Sequence, residues 1–342
     1  MIRSGSTGSK RLGGWTWVLA GLLGLAACGG DEDPGGSTTT SGTTVGSGGS
    51  STGGGDVGGT STGGSTGAGG SGGSTQTPSS GCGQDPPPLG PIVDGPTWGV
   101  NPDYTYTIDV GGADRTYVLR YPDSYDNNRP YPVVFLFHGT SGSGQEYDYT
   151  RVEQAAPEGG AIFVLPVGLD YEWAQDTGWE TFNDDERDLA FFDAMWSRIR
   201  SEYCVDEDRV FASGHSIGGY MSNYLGCMRG EVVRAIAPIA GGGMYDWFLA
   251  NNTCSGQVAA KVIHGTADDD VPFSAGVQVR DYFLGANHCG STTTPTSDPP
   301  CEQYEGCDAG HAVQMCAFDG VGHSDFDWAA LGPSIWGYFD GF

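Results

Sequence analysis

Apolar and polar residues alternate along 104–109 and again along 116–121, with Gly111-Gly112 between them, the pattern of two antiparallel strands joined by a tight turn. The next run, 132–137, is continuously apolar, as expected of a strand buried on both faces. Similar runs follow at 161–167, 210–213, 235–240 and 259–263, and another apolar stretch lies at 312–318. Helical spacing of apolar residues occupies 188–203, 217–228 and 274–284. Strands alternating with helices predict an α/β architecture: a mostly parallel central sheet with helices on both faces.

Before residue 82 this patterning is missing. Residues 28–81 are almost entirely Gly, Ser and Thr, and much of the chain's total of 60 glycines falls there. Such a stretch cannot form a core and reads as a tether with a typical end-to-end distance of about 40 Å. Ahead of it, Arg3, Lys10 and Arg11 precede the apolar stretch 15–27, which is too short to span a bilayer and fits a signal peptide over 1–27. Its end, Leu25-Ala26-Ala27-Cys28, resembles the lipobox of bacterial lipoproteins, which makes Cys28 a lipidation site and the only expected link to a membrane. The catalytic domain is then expected over 82–342, outside the cytoplasm, either anchored to the cell envelope or secreted.

Charge and cysteines narrow the possibilities. The formal net charge of -27 leaves little basic surface for phosphates, so nucleic acid is not an expected partner. Beyond Cys28 there are eight cysteines, Cys82, Cys204, Cys227, Cys254, Cys289, Cys301, Cys307 and Cys316, an even number that reads as disulfides in an exported chain. A zinc site among the later ones would want a C-x-x-C pair, which the spacings lack.

The chemistry centres on Gly214-His215-Ser216-Ile217-Gly218-Gly219. This G-x-S-x-G follows an apolar run and precedes a helical segment, the setting in which a strained turn exposes a serine hydroxyl as a nucleophile. Ser216 is the expected nucleophile. After the run 132–137 comes His138-Gly139-Thr140-Ser141-Gly142, whose glycines let backbone N–H groups approach a ligand; Thr140 and Ile217 are the expected oxyanion donors. The run 259–263 leads into His264-Gly265-Thr266-Ala267-Asp268-Asp269-Asp270, and any of its three aspartates suits the orienting acid. Among the six histidines, His215 lies inside the turn, His138 and His264 sit in loops with other tasks, and His288 and His311 fall in the cysteine-rich segment. His323, in Gly320-Val321-Gly322-His323, is left as the base, and Ser…Asp…His is the chain order of α/β-hydrolases.

These segments together resemble the secreted feruloyl esterase and polyhydroxybutyrate depolymerase group of the α/β-hydrolases, related to carbohydrate esterase family one, over essentially all of 100–342. The resemblance implies that the acid is Asp268, from an H-G-T-x-D-x-x-V-P motif, and that the base is His323, from a late G-x-G-H. Asp188 and Phe191 match the group's D-x-x-F. Ile217 departs from the group, where asparagine or a small residue is commoner, and so does Ser324-Asp325-Phe326, where Trp-Pro often follows the histidine.

The expected activity is serine carboxylic ester hydrolysis without cofactor or metal. The expected substrate is a hydroxycinnamate linked to plant polysaccharide, with polyhydroxybutyrate and acetylated xylan as alternatives. Trp173, Trp179 and Trp247 follow strand ends and are the expected aromatic wall of the substrate pocket. A non-catalytic surface-binding lipoprotein on the same fold is the reading from another class, and it would have no use for Ser216, Asp268 and His323 together.

Overall fold

The structure, a computed structural model, describes residues 76–88, 90–91, 104–140, 150–157, 160–170, 177–180 and 186–342. The expected signal peptide, Cys28, nearly all of the tether and Trp173 lie outside them, as does the side chain of Trp247. Of the two units into which the chain divides, Met1–Gly67 and Ala68–Phe342, all described residues belong to the second.

The chain enters the sheet through a hairpin, β1 (Tyr104–Val110) and β2 (Ala113–Arg120), in full antiparallel register from Tyr104 opposite Leu119 to Val110 opposite Ala113. Gly111 and Gly112 both have positive φ, 63° and 90°, as a two-residue turn matched to strand twist requires. There follow β3 (Tyr131–Phe137), α1 (Val152–Ala155), β4 (Ile162–Pro166), a small two-stranded ribbon of β5 (Leu169–Asp170) and β6 (Thr177–Gly178), and α2 (Arg187–Glu202). The long strand β7 (Val205–His215) runs into α3 (Ile217–Met228), and then come β8 (Ala235–Ile239), α4 (Asp246–Asn251), β9 (Ala259–Gly265) and α5 (Phe273–Ala286). The chain closes with β10 (Thr293–Pro295), β11 (Cys301–Tyr304), β12 (Val313–Phe318) and α6 (Trp328–Phe339).

The main sheet has the strand order β1-β2-β4-β3-β7-β8-β9-β12-β11-β10. Its six central strands are parallel, and a pair of antiparallel strands forms each edge. Successive side chains of a strand face opposite ways, so β3 splits its apolar run between two cores. Val133, Phe135 and Phe137 pack with Leu189, Phe192 and Met195 of α2 and with Met221 and Leu225 of α3. Val134 and Leu136 join Val152 of α1 and Leu331, Ile335 and Phe339 of α6. This is the expected α/β-hydrolase arrangement, with β7 near the middle of the sheet and its C-terminal end at one rim.

The structured region reaches back before Cys82. Thr77 O accepts from Glu207 N, Ser79 N donates to Val205 O, and Ser79 Oγ donates to Tyr203 O, so 77–79 lie along the start of β7. All eight of the later cysteines are paired: Cys82–Cys204, Cys227–Cys254, Cys289–Cys307 and Cys301–Cys316. Among the described residues, no helix is long and apolar enough to cross a membrane.

Candidate active site

Strand β7 meets helix α3 at Ser216, whose φ of 57° and ψ of −124° belong to no regular element. A non-glycine residue there is strained, and the strain persists because its surroundings fix it. Ser216 N donates to Ile239 O in β8, and Ser216 O accepts from Tyr220 N in the first turn of α3. The flanking glycines are steric necessities: a Cβ on Gly214 would collide with the Gly218 carbonyl, and one on Gly218 would collide with Phe137 O. The turn thus lifts a half-buried Ser216 above the sheet rim, while the first N–H groups of α3, Ile217 foremost, have no carbonyl one turn earlier to bind.

Asp268 lies just beyond β9 with its side chain wholly buried. Its Oδ1 accepts from Val271 N at 2.8 Å and Asp270 N at 3.0 Å. Its Oδ2 accepts from His323 Nδ1 at 2.8 Å. A carboxylate oxygen only accepts, so the His323 proton facing it sits on Nδ1. His264 braces the same loop, with Nε2 donating to Val271 O at 2.9 Å and lying 3.5 Å from Asp268 Oδ2. Gly276 makes room for the buried His264 ring, which a Cβ there would strike, and burial pushes the His264 imidazole below its ordinary pKa. His323 comes from the loop after β12, the strand beside β9, which is why residues 55 apart in sequence meet.

His215, placed in the turn by its sequence position, turns out to belong to this cluster. Its Nε2 donates to the backbone carbonyl of His323 at 2.7 Å, and the two rings lie 4.6 Å apart. Burial pushes His215 from 6.5 to about 4, against the opposing hydrogen bond to His323 O. Trp328, the first residue of α6, meets the His215 ring edge-on at 5.2 Å. A cavity of about 620 Å³ opens over these groups, and Thr140, Ser216, Asp270, His323, Ser324 and Trp328 are among its lining residues.

The family model "Esterase" (described as "Putative esterase") matches residues 110–242, from the β1–β2 hairpin through the Ser216 turn. A protein named probable feruloyl esterase C from Aspergillus niger is 33% identical over 249 residues, covering 69% of this chain and 85% of its own. The chain belongs to the feruloyl esterase family. Feruloyl esterase D from Neurospora crassa is 32% identical over 226 residues, covering 61% of this chain and 74% of its own. Among solved structures, an acetyl xylan esterase from Aspergillus awamori superposes with a TM-score of 0.49 at 15% identity, over 69% of this chain and 99% of that one.

As a family member this chain is a carboxylic ester hydrolase, and the cavity of about 620 Å³ opens over Ser216. Thr140 and Ser216 line that cavity together, and Ile217 opens the adjoining helix. Trp179 does not line it. Its side chain is fully buried beneath the loop that follows β3, edge-on to Phe137 at 5.1 Å, and its indole N–H is given to His138 O at 2.9 Å. The expectation that Trp179 walls the pocket is therefore wrong: a tryptophan after a strand end can point under the rim as readily as over it. Among the described residues, the half-buried tryptophan that does line the cavity is Trp328, five residues after His323, where the sequence carries no strand-end signal.

Proposed function

We propose that the protein hydrolyses hydroxycinnamate esters of the feruloyl kind carried on plant polysaccharide, with Ser216 as nucleophile, His323 as base and Asp268 as orienting acid. The observation that carries the reading is the 2.8 Å bond from His323 Nδ1 to the buried Asp268, beside the same cavity as Ser216. That bond holds the imidazole in the tautomer whose Nε2 is free of a proton and able to accept one from a hydroxyl. Ser216 Oγ attacks the ester carbonyl as its proton passes to His323, and the carbonyl oxygen takes up negative charge facing the Thr140 and Ile217 N–H groups. Collapse breaks the ester C–O bond, and the alcohol leaves with the proton from His323. Water, deprotonated by His323, then releases the acid and restores Ser216.

Feruloyl esterase relatives support the acyl group, and Trp328 gives the cavity an aromatic surface against which a planar phenylpropenoyl group fits. The four disulfides favour an oxidising compartment, and together with the lipobox-like Leu25-Ala26-Ala27-Cys28 they support an extracytoplasmic enzyme anchored through Cys28. The test compares methyl ferulate, polyhydroxybutyrate film and acetylated xylan as substrates for wild type and Ser216→Ala. Methyl ferulate should be the best of the three and should not be turned over by Ser216→Ala. Retained turnover in that variant would overturn the catalytic assignment, and a preference for film or xylan would overturn the substrate.

A further inference from the structure

On the reading of Ser216 as nucleophile, we propose that His138 is a positioning residue that aims the Thr140 N–H at the substrate's carbonyl oxygen. His138 follows the last residue of β3 and is 1% exposed. Its Nε2 lies 2.9 Å from Gly168 N. A backbone N–H can only donate, so this ring nitrogen is the acceptor and carries no proton. The proton of the neutral ring is then on Nδ1, which lies 2.7 Å from Gly139 O and donates to it.

The carbonyl so gripped belongs to the peptide group whose nitrogen is that of Thr140. A trans peptide is planar, with its C=O and N–H pointing in opposite directions, so holding Gly139 O sets the direction of the Thr140 N–H. The peptide before it is held in the same way, because Trp179 Nε1 donates to His138 O at 2.9 Å. Two consecutive peptide planes are thus fixed by two buried side chains.

The loop has reason to need such grips. Glycine gives its backbone little conformational preference, and a flip of the 139–140 peptide would replace the donor with a carbonyl oxygen facing the developing negative charge. The loop also lies directly against the nucleophile, since a Cβ on Gly139 would sit 3.6 Å from Ser216 Cβ. A small change in its peptide orientation would therefore be felt at the reacting carbon.

Three variants of the full-length protein separate this role from packing. In His138→Asn the amide nitrogen occupies the place of Nδ1 and can still donate to Gly139 O. In His138→Gln it occupies the place of Nε2, and in His138→Ala the donor is gone. With p-nitrophenyl acetate, kcat should fall by about 10²–10³-fold in His138→Gln and His138→Ala with KM little changed, while His138→Asn stays within about tenfold of wild type. Ser216→Ala is assayed alongside. Should Ser216→Ala stay active, the parent reading fails; should it be inactive while the three His138 variants match one another, or lose KM rather than kcat, only the positioning role fails. Nitrogen-15 NMR of the wild-type imidazole decides the matter even if the variants do not fold: Nδ1 protonated and Nε2 bare is expected, and the opposite tautomer would overturn the proposal.

Discussion

His215 donates its Nε2 proton to the backbone carbonyl of His323 across 2.7 Å, so the residue before Ser216 clasps the loop that carries the partner of Asp268. The end of β7 and the loop after β12, separated in the sheet by β8 and β9, are thereby joined directly above the rim. The clasp requires a donor at Nε2, and the buried ring supplies it without a charge.

That burial makes stability depend on pH. Unfolded His215 takes up a proton as pH falls below 6.5, whereas the folded residue does so only near 4. Its effect is absent above 6.5 and grows as pH falls through this window, to a loss of about 3 kcal/mol of stability. His264, also lowered by burial, acts in the same direction. His215→Gln keeps a donor near the Nε2 position and removes the titration. Urea unfolding between pH 7 and pH 4 should show a loss of stability smaller in this variant by about 3 kcal/mol; equal losses would disprove the link.

Arg115 and Asp188 form an ion pair at 2.7 Å with side chains 1% and 0% exposed. The Arg115 guanidinium also lies 4.0 Å over the Phe191 ring, which accounts for the D-x-x-F spacing in α2. Asp188 Oδ2 in addition accepts from Glu180 N, the residue after Trp179. Asp188→Ala should destabilise the fold by about 3–5 kcal/mol, since it leaves a buried cation without its partner. The pair Arg115→Met with Asp188→Leu should recover only part of this, because Glu180 N still lacks an acceptor. Denaturant midpoints of the three proteins test the order.

The Cys82–Cys204 disulfide joins residues 122 apart. Closing so long a loop restricts the unfolded chain strongly, and replacing both cysteines by serine should cost about 2–5 kcal/mol. Amide exchange should rise at Ser79 and Val205, whose hydrogen bonds lie beside the bridge. Unchanged protection at those two sites would show that backbone pairing alone holds the segment.

Trp328→Ala should lower kcat/KM for methyl ferulate about tenfold, the loss expected from one aromatic contact. Because Trp328 also supports His215, some loss with p-nitrophenyl acetate is expected too, but a smaller one. Equal losses on the two esters would assign Trp328 to support of His215 instead of substrate recognition.

The parts of this fold that could be read from sequence are those where chemistry leaves few choices. A run such as 132–137 has no stable place except between two layers, and Gly214 and Gly218 are forced by backbone contacts that admit no side chain. The β10–β11 edge carried no such signal: Thr293, Thr294, Glu302 and Gln303 are polar, and the strands are held by pairing and by Cys301–Cys316. Helix α6 was obscured by Gly332 and Pro333, although Gly332 is there because a Cβ would collide with the backbone of Thr150 and Arg151. Trp179 and Trp328 show the limit for the site. Sequence places an aromatic ring near a strand end, but only packing decides which side of the rim it occupies.

The segment 77–82 also determines where mechanical load enters the protein. A pull on the chain ahead of Thr77 reaches Cys82 and crosses through sulfur to Cys204, next to the start of β7. Force therefore passes straight to a strand in the middle of the sheet and bypasses everything from the edge hairpin to α2. The loop at His138 and Trp179 beneath it, both between Cys82 and Cys204 in the chain, are left outside that line of tension.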